Sequence, residues 1–527
     1  MSLRKILLAI LSGVMLTAAF PPGRLDWAAW IAIIPLLKSL ENERPLNAFR
    51  LGMIAGLSHY LTLIYWIIFV TNTYGGIDLL TSSCILLLFC LYLSLYPAVF
   101  SLLIRLLAGH RFMPMITAGV WVSLEYVRAL LMTGFPWCLL GYSQFNRHAL
   151  IQISDITGVY GISFLIVAVN ALIYLLIFDK PGTSGKKELI LETSTVLVLL
   201  FICLFYGIYC LSDVNRNGKG KESIITSVIQ GNIDQSVKWD PAFMKETMDK
   251  YMALTRSAMN SKPGLIVWPE TAAPFFFQDN TESSQDIYRI SKESGAWLIF
   301  GCPAYEQEDI IWTRYYNRVC LVSPNGSLGG HYDKAHLVPF GEYVPLKRFI
   351  PFINRLVTAS GDFFPGKESG LLKMSDITAG ALICYEAIFP DLARREVKNG
   401  ARVFVNLTND AWFGMTSAPH QLLSMCVFRA VENRRPFIRA ANTGFSAFID
   451  PFGRIIAKSD LFTEAVLTEE IRTDYNRITF YTKYGDIFMY VILIICLIKF
   501  SHELCYHPIK KEDANYRKIE EHLKGSE

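Results

Sequence analysis

Apolar residues dominate the first 211 residues of the chain, where they form long runs separated by short polar stretches. A helix needs about 20 apolar residues to cross the hydrocarbon core of a bilayer, and most of these runs reach that length. The pattern therefore predicts a membrane domain of seven spanning helices over residues 1–211. The predicted helices lie near Leu3–Phe20, Asp26–Leu37, Leu51–Val70, Ile77–Leu107, Met113–Thr133, Gly158–Phe178 and Leu189–Leu211.

The pattern changes after a polar linker, residues 212–222. Over residues 223–480, short apolar runs of strand type alternate with amphipathic segments, which is typical of a layered α/β domain with its own core. Residues 481–501 end in a last apolar run and predict an eighth membrane helix, and residues 502–527 predict a polar cytoplasmic tail. The predicted strands lie near Ser223–Ile229, Leu265–Val267, Trp297–Phe300, Asn317–Val322, Gly380–Ile383, Val403–Leu407 and Phe445–Ile449. The predicted helices of this domain lie near Pro241–Met259, Ser284–Ser294, Pro390–Asn399 and His420–Asn433.

Composition supports a membrane protein. Hydrophobic residues make up 52% of the chain and the mean hydropathy is +0.32. The net charge is only +4, with no basic run interleaved with aromatic residues before the tail, so nucleic acid is not an expected partner. The cysteines show no C-x-x-C pair and no Cys/His cluster at metal-ligand spacing, so neither a metal nor a cofactor is predicted.

Basic residues predict the orientation of the helices. Lys and Arg are richer before the first span and in alternate loops after it, for example at Arg4, Lys38 and Lys186. The positive-inside rule places this richer set in the cytoplasm. Seven crossings from a cytoplasmic N-terminus then place the α/β domain outside the membrane.

Three reactive side chains follow predicted strands of the α/β domain. Cys384 follows the run Ala381–Ile383, Glu270 follows Leu265–Val267, and Lys334 lies in the polar stretch Tyr332–Pro345 between them. A thiol is mostly protonated near pH 7 and needs a base or a positive neighbour to become a good nucleophile. The set therefore predicts Cys384 as nucleophile, Glu270 as base, and Lys334 as the cation that stabilises the thiolate and the oxyanion.

These stretches carry a family resemblance. Trp-Pro-Glu270, Asp333-Lys334-Ala-His-Leu-Val-Pro-Phe-Gly-Glu342-Tyr343 and Cys384-Tyr385-Glu386 resemble the Glu-Lys-Cys motifs of the nitrilase (carbon–nitrogen hydrolase) superfamily. The resemblance implies a four-layer αββα nitrilase-like sandwich, here inserted between transmembrane helices. It also implies that Glu342 lies beside the triad, with Glu386 and Tyr385 as further supporting residues. For Glu342 and Glu386, a purely structural carboxylate remains an open alternative.

Further motifs resemble the membrane-bound branch of this superfamily that N-acylates apolipoproteins. They are Phe135-Pro-Trp137 with Gly141-Tyr-Ser-Gln144, Gln230-Gly-Asn232 with Lys238-Trp239, and Asn409-Asp-Ala-Trp412-Phe-Gly414. The resemblance implies that the cysteine takes an acyl chain from a membrane phospholipid as a thioester. The acceptor would be the α-amino group of the N-terminal diacylglyceryl-cysteine of an apolipoprotein. The implied location is the bacterial inner membrane, with several spans and the catalytic domain in the periplasm. The oligomeric state stays open, and a monomer is compatible with the sequence.

Two apolar segments flank the predicted active-site residues. Pro274–Phe277 follows Glu270, and Phe349–Phe364 lies between Lys334 and Cys384. We expect them to line an acyl pocket, with packing into the core as the alternative. The predicted substrate-binding residues are Trp239, Phe275, Phe276, Phe277, Tyr343, Phe352, Phe363 and Trp412.

Two other functions remain open at this stage. One is a membrane-tethered nitrilase-type amidase that acts on a small soluble amide, and the other is a non-catalytic transporter or scaffold. The intact set of Glu270, Lys334 and Cys384 disfavours the scaffold, and the apolar segments disfavour the amidase. Cys302 and Cys320 are expected on neighbouring strands, and whether they pair is left open.

Overall fold

A helical region and an α/β region make up the chain in this computed structural model. The structure describes residues 1–23, 25–107, 113–178, 186–216, 222–307, 313–343, 363–367 and 369–501. The helices of the first region are α1 (Leu3–Ala18), α2 (Ile34–Ser39), α3 (Pro45–Leu63), α4 (Trp66–Phe69), α5 (Leu79–Leu106), α6 (Met113–Leu130), α7 (His148–Ile151), α8 (Ser154–Thr157), α9 (Val159–Phe178) and α10 (Lys186–Arg216). The predicted tail, residues 502–527, lies outside the described residues.

Glycines allow close helix packing in the first region. A Cβ on Gly52 of α3 would lie 2.3 Å from the carbonyl oxygen of Pro97 on α5, and one on Gly56 would lie 2.9 Å from Cα of Ser94. Small residues let helix backbones approach each other where apolar burial alone gives little drive to associate, as in a bilayer. The pair α3 and α5 therefore forms a tight scaffold within the bundle.

Among the described residues, three helices are long and apolar enough to cross a membrane, namely α5, α9 and most of α10 (Lys187–Ser212). The pair α3 and α4 makes a fourth if it is counted as one span bent by 49°. The prediction of about eight spans is therefore too high by this measure. Helix α1 has only 16 residues, and α6 carries the charged residues Glu125 and Arg128.

Three predicted boundaries in the helical parts differ from the structure. The predicted second span folds as a short 3₁₀ helix, Asp26–Trp30, followed by the six-residue α2, which has Pro35 in its first turn. Helix α10 continues to Arg216, so the first residues of the predicted linker are helical. The predicted last span is broken at Gly485, whose φ of 66° is in the left-handed region and separates α15 (Phe480–Tyr484) from α16 (Ile487–Ser501).

Two six-stranded sheets form the α/β region. Their order is β12-β1-β2-β3-β4-β5 in the first sheet and β11-β10-β9-β8-β7-β6 in the second. The strands are β1 (Ser223–Gln230), β2 (Leu265–Val267), β3 (Trp297–Gln307), β4 (Thr313–Val322), β5 (Leu328–Asp333), β6 (Leu371–Met374), β7 (Ile377–Ile383), β8 (Val403–Thr408), β9 (Phe437–Ala441), β10 (Ala447–Ile449), β11 (Ile455–Lys458) and β12 (Ala465–Arg472). Strands β1, β2 and β3 are parallel, as are β7, β8 and β9.

The layers follow the predicted αββα order. Apolar residues of both sheets, such as Val267 and Val405, share one buried core, so the sheets pack face to face. Helices α11 (Pro241–Ala258) and α12 (Glu282–Ser294) cover the outer face of the first sheet. Helices α13 (Pro390–Lys398) and α14 (Ala418–Asn433) cover the second. The nitrilase-like sandwich is confirmed.

Helix α14 also fixes the sandwich to the helical region. The side-chain oxygen of Gln421 accepts hydrogen bonds from the indole N–H groups of Trp66 (3.2 Å) and Trp137 (2.7 Å). At the other end of α14, Arg434 forms an ion pair with Asp155 at 2.8 Å. Buried polar contacts of this kind fix the relative position of two elements because each side chain would be left unpaired if they moved.

Candidate active site

The three predicted reactive residues lie just beyond the ends of three strands. Glu270 comes after β2, Lys334 directly follows β5, and Cys384 directly follows β7. Because β2 and β5 belong to one sheet and β7 to the other, the residues meet between the two sheets. Cys384 has a φ of 51° where β7 turns sharply into a 3₁₀ helix, Cys384–Ile388. Non-glycine residues in this region of φ are often found at functional sites.

The Glu270 carboxylate is held by two donors. The side-chain amide of Asn317 donates to Oε1 at 2.7 Å, and the backbone N–H of Asn409 donates to Oε2 at 2.8 Å. The Nζ of Lys334 lies 3.9 Å from Oε1. With its orientation fixed in this way, Glu270 is placed to accept a proton from a neighbouring group.

Lys334 is buried, with 1% of its surface exposed. Its Nζ donates to Glu342 Oε1 at 2.9 Å. Burial alone would lower the pKa of Lys334, but the Glu342 and Glu270 carboxylates outweigh it and raise the pKa. Lys334 therefore remains a cation over the whole working pH range, as an electrostatic stabiliser of an oxyanion requires.

Cys384 is also buried, and its surroundings favour the neutral thiol. Burial raises the pKa of Cys384 to about 12, Glu270 adds to the rise, and Lys334 opposes it. The resting thiol therefore keeps its proton at neutral pH. A base must remove that proton as the sulfur attacks, and Glu270 is the carboxylate that acts most strongly on the thiol.

The two supporting carboxylates have different surroundings. Glu342 accepts from Lys334, from Asn317 at 3.0 Å and from the backbone N–H of Val338 at 2.8 Å. It thus contacts the reactive lysine directly.

Glu386 instead joins the segment around Lys334 to the end of β7, directly before Cys384. Its carboxylate accepts from the Tyr332 hydroxyl (2.8 Å) and from the backbone N–H groups of Ala335 (2.8 Å), His336 (2.9 Å) and Ile383 (2.7 Å). Burial raises the pKa of Glu386, although the hydrogen bonds from Ile383 and His336 act in the opposite direction. The position favours a role in holding these segments together rather than a direct part in the chemistry.

Three residues for which the sequence predicted no role hold the site together. Asn317 bridges Glu270 and Glu342, and Asn409 bonds to both Glu270 and Gln235. Lys238 donates from Nζ to the backbone carbonyl of Glu270 at 3.0 Å. Lys238 and Asn409 lie inside the motifs Lys238-Trp239 and Asn409–Gly414, but Asn317 lies on β4 with no motif around it.

The structure gives the three adjacent phenylalanines different surroundings. Phe275 and Phe277 are buried in the core between the first sheet and its helices, where Phe277 packs against Phe300 with ring centroids 5.0 Å apart. For these two residues the structure favours core packing, the alternative that the sequence left open. Only Phe276 is half-buried, and it packs against Tyr305 and Tyr315 near the surface.

The other predicted substrate-binding residues remain at least partly accessible. Trp239, next to Lys238, is 50% exposed, and Tyr343 and Trp412 are half-buried. Phe363 is half-buried too, and its backbone N–H donates to the carbonyl of Glu342 at 3.0 Å. Phe352 lies outside the described residues.

An aromatic cluster connects the helical region with the nucleophile. Trp137 stacks on Tyr385, the residue after Cys384, with ring centroids 6.5 Å apart. Trp137 also contacts Trp66 at 4.9 Å and Phe413 at 6.2 Å. The helical region therefore contacts the residue next to the reactive cysteine through an aromatic surface.

Two family models match separate parts of the chain. The apolipoprotein N-acyltransferase N-terminal domain matches residues 12–172, and the carbon-nitrogen hydrolase domain matches residues 226–478. The apolipoprotein N-acyltransferase of Geobacter metallireducens is 43% identical over 510 residues, which cover 96% of this chain and 97% of the relative. The chain belongs to the apolipoprotein N-acyltransferase family.

Other members of the apolipoprotein N-acyltransferase family match over similar lengths. The Methylococcus capsulatus protein is 32% identical over 480 residues, or 88% of this chain and 90% of the relative. Among solved structures, an amidase from Nesterenkonia sp. aligns with a TM-score of 0.37 and 19% identity over 48% of this chain and 92% of that one. Family membership confirms the resemblance inferred from the motifs. It does not favour the tethered amidase or the scaffold.

Proposed function

We propose that the protein moves an acyl chain from a membrane phospholipid to an apolipoprotein, with Cys384 as the nucleophile. The acceptor is the α-amino group of the N-terminal diacylglyceryl-cysteine. One observation carries the assignment of roles: Glu270 and Lys334 lie 3.9 Å apart between the sheets, and both act electrostatically on the buried Cys384 thiol. Family membership supports the acyl-transfer reaction.

The first half-reaction makes a thioester. Glu270 accepts the thiol proton while the sulfur of Cys384 attacks the ester carbonyl of the phospholipid. The negative charge that develops on the carbonyl oxygen is stabilised by Lys334. The C–O bond then breaks, Glu270 returns the proton to the leaving oxygen, and lysophospholipid departs.

The second half-reaction uses the same groups on the acceptor. The neutral α-amine attacks the thioester carbonyl, Glu270 accepts a proton from the nitrogen, and Lys334 again stabilises the oxyanion. The C–S bond breaks, the sulfur takes the proton back, and the acyl chain stays on the nitrogen as an amide. Because one thiol serves both substrates in turn, the kinetics are ping-pong.

The proposal includes a multi-pass location in the bacterial inner membrane, with the sandwich in the periplasm. The apolar helices α5, α9 and α10 support membrane insertion, and the loop charges support the orientation. Trp137 of the helical region stacks on Tyr385, the residue after Cys384, and this contact supports entry of a phospholipid ester from the side of the helices.

For the substrate route, we propose Phe276, Trp239, Tyr343, Phe363 and Trp412 as contacts for acyl chains or the acceptor. The support is their partial exposure next to Lys238, Glu342 and Asn409 of the site. Phe352 is included on the sequence pattern alone.

The reaction itself is tested with purified protein, phospholipid and a synthetic diacylglyceryl-cysteine peptide. Mass spectrometry should show one added acyl group on the peptide nitrogen and an equal amount of lysophospholipid. Without the peptide, lysophospholipid release should stop after about one equivalent per enzyme, since the thioester is not resolved. Turnover of a small amide with no reaction of phospholipid would instead support the amidase.

The orientation is tested by labelling engineered cysteines in spheroplasts with a membrane-impermeant thiol reagent. A cysteine introduced by Glu222→Cys, at the start of the sandwich, should react from outside. One introduced by Lys511→Cys, in the tail, should react only after permeabilisation. The reverse pattern would contradict the proposed topology.

A further inference from the structure

Lys238 is a second buried lysine beside Glu270, and the mechanism above gives it no task. It lies between β1 and α11 and has only 3% of its surface exposed. A buried ammonium carries a large desolvation cost and is rarely kept without partners. Its partners should therefore indicate what it does.

A network of amides fixes the segment that carries Lys238. The backbone N–H of Ile233 donates to the side chain of Asn442 at 2.9 Å, and Asn442 in turn donates to Asn409 at 3.2 Å. Asn409 donates from its side chain to Gln235 at 2.7 Å. The same Asn409 binds the Glu270 carboxylate through its backbone, so the segment and the base share one support.

The ammonium of Lys238 contacts the backbone of Glu270. Nζ donates to the Glu270 carbonyl oxygen at 3.0 Å. The next residue, Thr271, has a φ of 47°, so the chain turns sharply there through a conformation that non-glycine residues disfavour. A charge-assisted hydrogen bond on this peptide holds the turn in place. The carboxylate and the peptide of Glu270 are thus fixed by separate partners.

The charge of Lys238 acts on two further groups of the site. The Glu270 carboxylate, after β2, and the Cys384 thiol, after β7, both interact with it electrostatically. Lys334 lies 3.9 Å from the same carboxylate, and Asn317 donates to both Glu270 and Glu342. Burial lowers the pKa of Lys238 to about 8, while Glu270 and Cys384 act to raise it. The lysine is a cation below that pH and loses its charge as the pH rises through it.

We propose that Lys238 is a positioning residue for the acyl transfer, whose ammonium fixes the Glu270 peptide and adds a positive charge close to the base. The proposal rests on the proposed function, because it assigns Lys238 to the step in which Glu270 takes the thiol proton. The charge of Lys238 and its hydrogen bond to the Glu270 peptide are two separate contributions to the site. The two roles predict different behaviour for the matched variants Lys238→Gln and Lys238→Arg.

The test measures the rate of thioester formation from phospholipid between pH 5 and pH 10. Lys238→Gln keeps a hydrogen-bond donor but has no charge, so we expect the rate at pH 7 to fall by about tenfold or more. Its rate should also show no decline above about pH 8, because glutamine does not titrate. Lys238→Arg should retain most of the rate at pH 7. It should lack the wild-type decline above about pH 8, because arginine stays charged there.

Controls make the outcome decisive. Lys245→Met removes an exposed lysine from α11 and should leave the profile unchanged. Gln and Arg variants with the same rate loss and the wild-type pH profile would overturn the proposal and leave Lys238 a structural support. A Gln variant with wild-type rate and profile would also overturn it.

A second readout does not depend on phospholipid. Iodoacetamide alkylates the Cys384 thiolate directly, and the rate of alkylation follows the ionised fraction. Lys238→Gln should slow this reaction and Lys238→Arg should not. If these shifts appear while the wild-type protein forms no thioester with phospholipid, the proposed function fails and the role of Lys238 stands. If Lys238→Gln shows unchanged alkylation and normal acylation, the role of Lys238 is contradicted while the proposed function stands.

Discussion

Replacing Cys384 with alanine is expected to abolish acyl transfer, and replacing Lys334 with methionine to slow it by at least about 10²–10³-fold. The first change removes the nucleophile. The second removes a buried cation that lies 2.9 Å from Glu342 and 3.9 Å from Glu270, and leaves both carboxylates without it. Methionine has a similar length and no charge, so the loss reports the charge. Lysophospholipid release, followed by mass spectrometry, measures both effects.

Cys426→Ala is the matched control, because Cys426 is another buried thiol of the sandwich. It should retain near-normal transfer. Near-normal transfer by Lys334→Met would remove Lys334 from the reaction, and loss of activity in the Cys426 variant would show that the assay reports folding.

Asn317→Asp is expected to lower the rate of thioester formation by about 10²-fold. Asn317 donates to Glu270 at 2.7 Å and to Glu342 at 3.0 Å. Aspartate has the same shape but presents a third carboxylate to these two, so the donor becomes a repelling acceptor. The repulsion displaces Glu270 from the position in which it accepts the thiol proton.

The measurement is single-turnover lysophospholipid release, with Asn260→Asp as an exposed control that should keep the wild-type rate. A wild-type rate in Asn317→Asp would contradict the role of Asn317 in holding the base.

Local signals in the sequence predicted the reactive residues and most of the sandwich. Cys384 directly follows an apolar run and Glu270 comes shortly after one, and such runs indicate where a strand ends. Lys334 follows no apolar run, since the strand before it reads Leu-Gly-Gly-His-Tyr-Asp, and the resemblance of its motif indicated it instead. Five strands were missed, namely β5, β6, β9, β11 and β12. In β9 the apolar run is interrupted by Arg439. Arg439 is buried and forms an ion pair with Asp410 at 2.7 Å. Because the two residues are distant in sequence, the local sequence does not show that this arginine lies in a buried strand.

The partners of the reactive residues could not be predicted for the same reason. Asn317 lies 47 residues from Glu270 along the chain, and only the pairing of the strands brings them together. The positions of Cys302 and Cys320 were predicted correctly on neighbouring strands, and their sulfur atoms lie 3.6 Å apart as free thiols. For Phe275 and Phe277, sequence could not distinguish a lipid-facing cluster from core packing.

The spans were predicted less well than the sandwich. Hydropathy measures apolar content but not where a helix bends or ends. The break between α3 and α4 and the positive φ at Gly485 divide two predicted spans, and Pro35 lies in a helix of six residues. Backbone geometry therefore shortened elements that composition alone predicted to be continuous.

The central claim is that Cys384 carries the acyl chain between the two substrates. The most direct measurement is the mass of the intact protein after incubation with phospholipid alone, followed by peptide mapping. The account predicts one added acyl mass, located on the peptide that contains Cys384, removed by hydroxylamine and absent in Glu270→Gln. An active preparation with no adduct, or with the acyl group on Cys302 or Cys426, would contradict it.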